Sequence, residues 1–167
     1  MNPPLPPQAL RAALGRFATG VTIVTCIDSQ AQRVGLTANS FSALSLDPPL
    51  VLWSLRRASP SLAAFRDASH FAVNVLAADQ HHLSRQFSTP APDKFAGVPA
   101  TEGPGGVPLL DGVIARFTCR HLRNHDGGDH VIFIGEVERF EEFEAEPLVF
   151  HSGFYRVATR HPEVDQA

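Results

Sequence analysis

Val34-Gly35-Leu36-Thr37-Ala38-Asn39-Ser40-Phe41 leads through Ser42-Ala43-Leu44-Ser45 to Leu46-Asp47-Pro48-Pro49, and Leu50-Val51-Leu52-Trp53-Ser54-Leu55 follows at once. These residues predict an extended region over 34–45, a stop at Asp47-Pro48-Pro49, and another strand over 50–55. Proline carries no backbone N–H and so interrupts a ladder. The flanks continue the pattern. Val21-Thr22-Ile23-Val24-Thr25-Cys26-Ile27 is rich in β-branched residues, which suit a pleated surface, and Asp28-Ser29-Gln30 turns it. Residues 71–76 form a fourth strand. Over 115–122, Ala115, Phe117 and Cys119 alternate with Arg116, Thr118 and Arg120, the signature of a half-buried strand. Gly127-Gly128 within 124–129 marks a hairpin turn, 131–140 the returning strand, and 148–157 a last one.

Helical signals are short. Leu10, Leu14 and Phe17 recur at helical spacing and predict a helix over 8–18 with one buried stripe, ended by Gly20. Ser59-Pro60-Ser61-Leu62 opens a second, with serine as N-cap and proline in the first turn. Asp79 caps a third, which carries Leu83 and Phe87 on one face. Residues 90–108 read as a surface loop. Its Gly103, Gly105 and Gly106 do not link a strand to a helix, so they are no dinucleotide fingerprint. Six or so strands, few helices and no strand–helix–strand rhythm predict a mostly β fold, an antiparallel barrel with peripheral helices.

The 167 residues suit one domain, expected over 8–158 with flexible ends at 1–7 and 159–167. Fourteen Lys and Arg against 17 Asp and Glu leave a net charge of −3, which excludes the basic surface of a nucleic-acid binder. Cys26 and Cys119 sit in apolar, strand-like stretches and read as buried small hydrophobes, not a disulfide framework. The opening Met1-Asn2-Pro3-Pro4 is no signal peptide, and no apolar run reaches the ~18 residues of a membrane span. The expectation is a cytoplasmic protein with no membrane and no nucleic-acid partner.

Seven motifs in order resemble the flavin reductase family. They are Phe17-Ala18-Thr19-Gly20-Val21, the 34–52 stretch quoted above, Phe71-Ala72-Val73-Asn74-Val75-Leu76, Asp93-Lys94-Phe95, Pro108-Leu109-Leu110-Asp111-Gly112, Gly128-Asp129-His130, and His151-x-Gly153-x-Tyr155. The resemblance covers nearly the whole chain. It implies a split antiparallel β-barrel that binds FMN, and NAD(P)H-dependent reduction of free FMN or FAD. It further implies a homodimer that hands reduced flavin to a flavin-dependent monooxygenase, as the reductase component of a two-component system.

A flavin ring needs donors and acceptors along its pyrimidine edge, and small side chains that let the backbone approach. Thr37, Ala38, Asn39 and Ser40 supply both; the other reading of this run is a polar turn between strands. Ser54, Leu55, Arg57, Ser59 and Ser61 surround the start of the second helix, where N–H groups, hydroxyls and a guanidinium suit a phosphate. Ordinary helix capping would need Ser59 alone. Strand alternation lets only one of Arg56 and Arg57 face such a site, and Arg57 is the one assigned to it. The resemblance places Phe87 and Lys94 near the flavin tail and phosphate, and His151, Gly153 and Tyr155 in the nicotinamide pocket. It puts His130, the candidate catalytic residue, beside the nicotinamide, with NADH or NADPH as hydride donor. A neutral imidazole can bond a carboxamide or manage a proton, while hydride transfer itself needs no side-chain base. Ser152 and Phe154 stand where family members often carry basic residues.

Competing readings remain at this level. His121, His125 and His130, with Asp126 and Asp129, flank the hairpin turn, but zinc needs three or four converging ligands and no metal is assigned. His81 and His82 read as exposed helix residues, and the Glu-rich 136–146 as a solvated face. Phe41 and Trp53 are candidate apolar contributors to a dimer interface. Two further functions stay open: a flavoprotein that retains FMN and acts on another substrate or only binds flavin, and a barrel with no ligand.

Overall fold

Six residues of one strand, Thr22–Ile27, organise the architecture, because five of them are buried and both faces are covered. That is why this stretch is an almost unbroken apolar and β-branched run. The computed structural model describes residues 5–163. In chain order the elements are α1 (Pro7–Leu14), β1 (Thr19–Gly20), β2 (Thr22–Ile27), β3 (Arg33–Ala38), β4 (Ser42–Leu46) and β5 (Pro49–Arg56). There follow α2 (Leu62–Asp67), β6 (His70–Val75), α3 (His81–Ser88), β7 (Ala100–Glu102), β8 (Pro108–Leu110) and β9 (Ala115–Gly127). The chain ends with β10 (His130–Glu142), β11 (Leu148–His151) and β12 (Phe154–Val157).

Seven strands form one antiparallel sheet in the order β3-β2-β6-β9-β10-β5-β4, and β1-β11-β12 and β7-β8 make two small sheets. β3 and β4 lie at opposite edges of the large sheet although only three residues separate them. The sheet therefore curls so that its edges approach without pairing, which is a split barrel. Val24, Cys26, Trp53, Phe65, Phe71 and Phe133 fill its interior. Trp53 is fully buried and stacks on Phe133 with centroids 4.7 Å apart. A second core on the other face of β2 joins Val21 and Ile23 to Leu83 and Phe87 of α3.

Several expectations are corrected. The 34–45 region is two strands, broken at Asn39-Ser40-Phe41, because the chain crosses there from one sheet edge to the other. α1 ends at Leu14 with Gly15, not Gly20, at its C-terminus, and none of its residues is buried. Leu10, Leu14 and Phe17 of the expected apolar stripe are 44%, 67% and 79% exposed. Residues 148–157 are a hairpin turned by Ser152 and Gly153, both at positive φ, rather than one strand. The 90–108 loop contains β7, which pairs with β8. The β9–β10 turn is only Gly128-Asp129, since Gly127 already pairs with His130. Trp53 and Phe41 are not an interface pair: Trp53 is core, and Phe41 packs on Phe117 at 5.6 Å. The Glu-rich segment is largely exposed, as expected, and also carries ion pairs, Glu136 and Glu138 with Arg120 and Glu141 with Arg116, with Glu138 3.2 Å from His70 Nε2. No helix among the described residues is long and apolar enough to cross a membrane.

Candidate active site

A cavity of about 740 Å³ opens where the barrel is split, a volume suited to a nucleotide-sized ligand. Its walls come from the end of β3 and the crossing (36–40), the end of β5 (54–56), the lead-in to α2 (58–61), the end of α3 (87–88), the loop beyond it (90, 91 and 94), and His130.

Each wall has a local cause. Ser40 spans the split: its hydroxyl accepts from Ser54 N–H at 2.9 Å and donates to Ser54 O at 3.0 Å. It substitutes for a ladder pair and brings the crossing against β5. Thr37 donates its hydroxyl to Ser84 O of α3 at 2.7 Å, so only its acceptor lone pairs remain for a ligand. Ala38 is small and buried, while Asn39 is exposed and its amide has no partner among the described residues. Leu55 and Phe87 make the apolar part of the wall, with Phe87 edge-on to Phe95 at 4.9 Å.

Ser59 accepts the Ser61 N–H at 3.3 Å, so it turns the chain into α2, while the Ser61 hydroxyl has no partner among the described residues. α2 is six residues long, so its dipole is slight, while its N-cap residue makes no side-chain bond to the first N–H groups. Side chains must supply the positive charge. Lys94 donates to Phe87 O at 2.8 Å, and burial holds its ammonium below the ordinary lysine range. Arg56 also lines the cavity; alternation allows one of Arg56 and Arg57 to face it, and that one is Arg56 rather than the expected Arg57.

His130 opens β10 opposite Arg56. Its Nδ1 lies 2.7 Å from Asp129 Oδ1, and that hydrogen bond holds the Asp129 carboxyl below the usual carboxylate range. A proton on Nδ1 leaves Nε2 as a bare acceptor. His121 instead turns to Ala68 O at 3.1 Å, so the three hairpin histidines do not converge. No group of three or more metal-ligating side chains lies together among the described residues.

Thus Thr37, Ala38, Asn39, Ser40, Ser54, Leu55, Ser59, Ser61, Phe87, Lys94 and His130 share one cavity. Arg57, His151, Gly153 and Tyr155 do not line it. Arg57 turns toward the β9–β10 tip, because the phase of β5 puts its neighbour Arg56 on the cavity side. Tyr155 donates to Ser84 Oγ at 2.8 Å, behind the wall, under the guanidinium of Arg85. Gly153 belongs to a smaller cavity with Ser152, Arg11 and Arg16. Sequence reasoning weighed Arg56 but assigned Arg57 in its place, and it missed Leu36, Ala58, Pro60, Ser88, Pro90 and Ala91. Of these, Pro60 carried a signal as part of the Ser-Pro-Ser helix start, and Ser88 and Pro90 as the helix-ending polar and proline residues after Phe87.

The chain matches the family model "Flavin reductase like domain" over residues 14–159. It belongs to the flavin reductase-like family. It is 45% identical over 148 residues to the FMN reductase (NADH) SmoA of Agrobacterium fabrum, covering 89% of this chain and 84% of that protein. It is 45% identical over 150 residues to the flavin-dependent monooxygenase reductase subunit HsaB of Rhodococcus jostii, covering 89% and 76%. Among solved structures it resembles the NADH:FAD oxidoreductase SgcE6 of Streptomyces globisporus in complex with NAD and FAD fragments. That match has a TM-score of 0.87 and 36% identity, and covers 98% of this chain and all of the other.

Proposed function

We propose that the chain uses NADH or NADPH to reduce free FMN or FAD bound in the split-barrel cavity, and supplies the reduced flavin to a monooxygenase. The observation that carries this reading is the meeting of the crossing at 37–40, the serine-rich lead-in to α2 and His130 in one open cavity. The donor set fits the ligand. Asn39 and the backbone of 37–40 would meet the pyrimidine edge. Leu55 and Phe87 provide the apolar wall for a ring. Ser59, Ser61, Arg56 and Lys94 would hold the phosphate. His130, oriented by Asp129, would hold the carboxamide through Nε2 or a proton near it. Bound flavin supplies the hydride acceptor; the chain supplies placement and electrostatics. An open mouth suits a flavin that enters and leaves as a substrate.

The molecule is further read as a homodimer. Leu14, Phe17, Phe154 and Val157 are 67%, 79%, 65% and 64% exposed, and Ser152 N–H to Gly15 O ties the end of α1 to the β11–β12 turn, so an apolar face there would suit a partner subunit. Tyr155 and His151 lie on the hairpin beside this face, so they would reach a nicotinamide through the dimer rather than within one subunit. Two buried, unpaired thiols suit the reducing cytoplasm, where the nicotinamide donor is made.

The test is NADH or NADPH oxidation by purified protein, followed at the nicotinamide absorbance band while FMN, FAD or riboflavin is added. Turnover that rises with added flavin supports the reading. A yellow protein bleached once without turnover would show retained flavin, and absence of any flavin affinity would refute the site.

A further inference from the structure

Arg57 leaves the cavity wall and grips the β9–β10 tip at three points. Its backbone N–H donates to Asp129 O at 2.9 Å, its Nε–H donates to Gly128 O at 2.9 Å, and its Nη2 lies 2.6 Å from Asp126 Oδ1. Among the described residues no other side chain bonds to Asp126, Gly127 or Gly128. The turn is exposed, and Gly128 sits at φ 65° with open space where a Cβ would be. Backbone pairing and Arg57 therefore hold this tip, with the Ile132 side chain against Gly127 and open space around Gly128.

What the grip connects gives it meaning. Arg56 before Arg57, and Ala58 and Ser59 after it, line the cavity. His130 follows directly on the gripped turn and lines the same cavity. An exposed ion pair alone contributes little. A guanidinium that adds a directed Nε–H bond to a carbonyl is different, because its planar fork fixes an angle as well as a distance.

We propose that Arg57 is a positioning residue: it ties the lead-in to α2 to the β9–β10 turn, and so sets where His130 stands in the cavity. It is not itself a phosphate ligand. The idea rests on the role given to His130 above, and the experiment separates the two.

Wild type, Arg57→Ala, Arg57→Lys, His130→Ala and the double variant Arg57→Ala/His130→Ala are compared in steady-state NADH oxidation with FMN. FMN affinity is measured separately, without NADH, by fluorescence quenching. Arg57→Ala is expected to lower kcat/KM for NADH by about tenfold, and to cost less than about twofold when His130 is already absent. FMN affinity stays within about threefold. Arg57→Lys remains impaired, because its ammonium can meet Asp126 but has no Nε–H for Gly128. Equal losses in both backgrounds overturn the proposal, as does full recovery by Arg57→Lys. A second readout does not depend on turnover: amide hydrogen exchange over 127–131 must quicken in Arg57→Ala. Unchanged exchange overturns the clamp even if His130→Ala is inactive. Wild-type turnover in His130→Ala, with exchange quickened in Arg57→Ala, sinks the histidine's role and with it the coupling to turnover, while leaving the mechanical tie established.

Discussion

Gly35 in β3 faces the second core, and a Cβ built there would lie 2.6 Å from Phe87 Cε1, 2.9 Å from its Cδ1 and 3.1 Å from Phe95 Cζ. Ordinary contact begins near 3.4 Å, so the Phe87 ring would have to retreat by about 0.8 Å in Gly35→Ala. It cannot move freely. Phe87 is fully buried, Phe95 stands edge-on at 4.9 Å, and Arg33 lies over Phe95 with its guanidinium carbon 4.8 Å from the ring centre. Overpacking of this kind costs about 1–3 kcal/mol. For a domain of this size each kcal/mol moves Tm by about 2–4 °C, so a fall of about 2–12 °C is expected. Because Phe87 also lines the cavity, FMN affinity should weaken alongside by about fivefold, roughly 1 kcal/mol. Thermal melts and fluorescence titration with FMN measure both effects. Gly20→Ala is the control: its Cβ would meet nothing within 4 Å, and its stability should stay within about 0.5 kcal/mol of wild type. A Gly35→Ala protein that melts and binds FMN as wild type does would refute the claim that Phe87 is wedged between β3 and the cavity.

Gly135→Ala should be harsher, about 3 kcal/mol, because its Cβ would sit 2.4 Å from Phe71 Cζ and 2.9 Å from Cys119 Cβ; denaturant unfolding reads this directly. Ser84→Ala removes the acceptor of the Tyr155 hydroxyl but leaves the Thr37 bond to the Ser84 carbonyl, so about 1–2 kcal/mol is lost with FMN affinity retained. Asn39→Ala should weaken FMN binding by about fivefold, and His130→Ala should lower kcat/KM for NADH by about tenfold, both with wild-type melting curves. Burial, aided by Asp28 at one thiol and Glu138 at the other, pushes Cys26 and Cys119 up to about 12 from an ordinary 9.0. Unfolded thiols therefore lose protons at a pH where folded ones keep them. The contribution of these thiols is complete below about pH 9 and lost as pH rises toward 12, and replacing both cysteines with alanine should flatten the alkaline slope of stability.

Local chemistry makes much of this protein legible in the order of its residues. β-branched runs identify β2 and β5, the Gly-Gly pair identifies the β9–β10 hairpin, and the Ser-Pro-Ser lead-in marks one wall of the cavity. These features are set within a few residues: by rotamer crowding, by the left-handed backbone that Gly128 adopts at φ 65°, and by proline's missing donor. The tertiary structure alone decides the rest, because each remaining point depends on a partner distant in the chain. Asn39-Ser40-Phe41 looks continuous with its flanking strands until the sheet curls and Ser40 meets Ser54. Arg56 and Arg57 are equivalent to any sequence pattern, and only the register of β5 on β10 sends one into the cavity and the other onto the turn. Nothing local marks Ser84, because its partners, Thr37 and Tyr155, lie 47 and 71 residues away. Periodicity tells which face of an element is apolar; what covers that face is settled only when the sheet closes on itself.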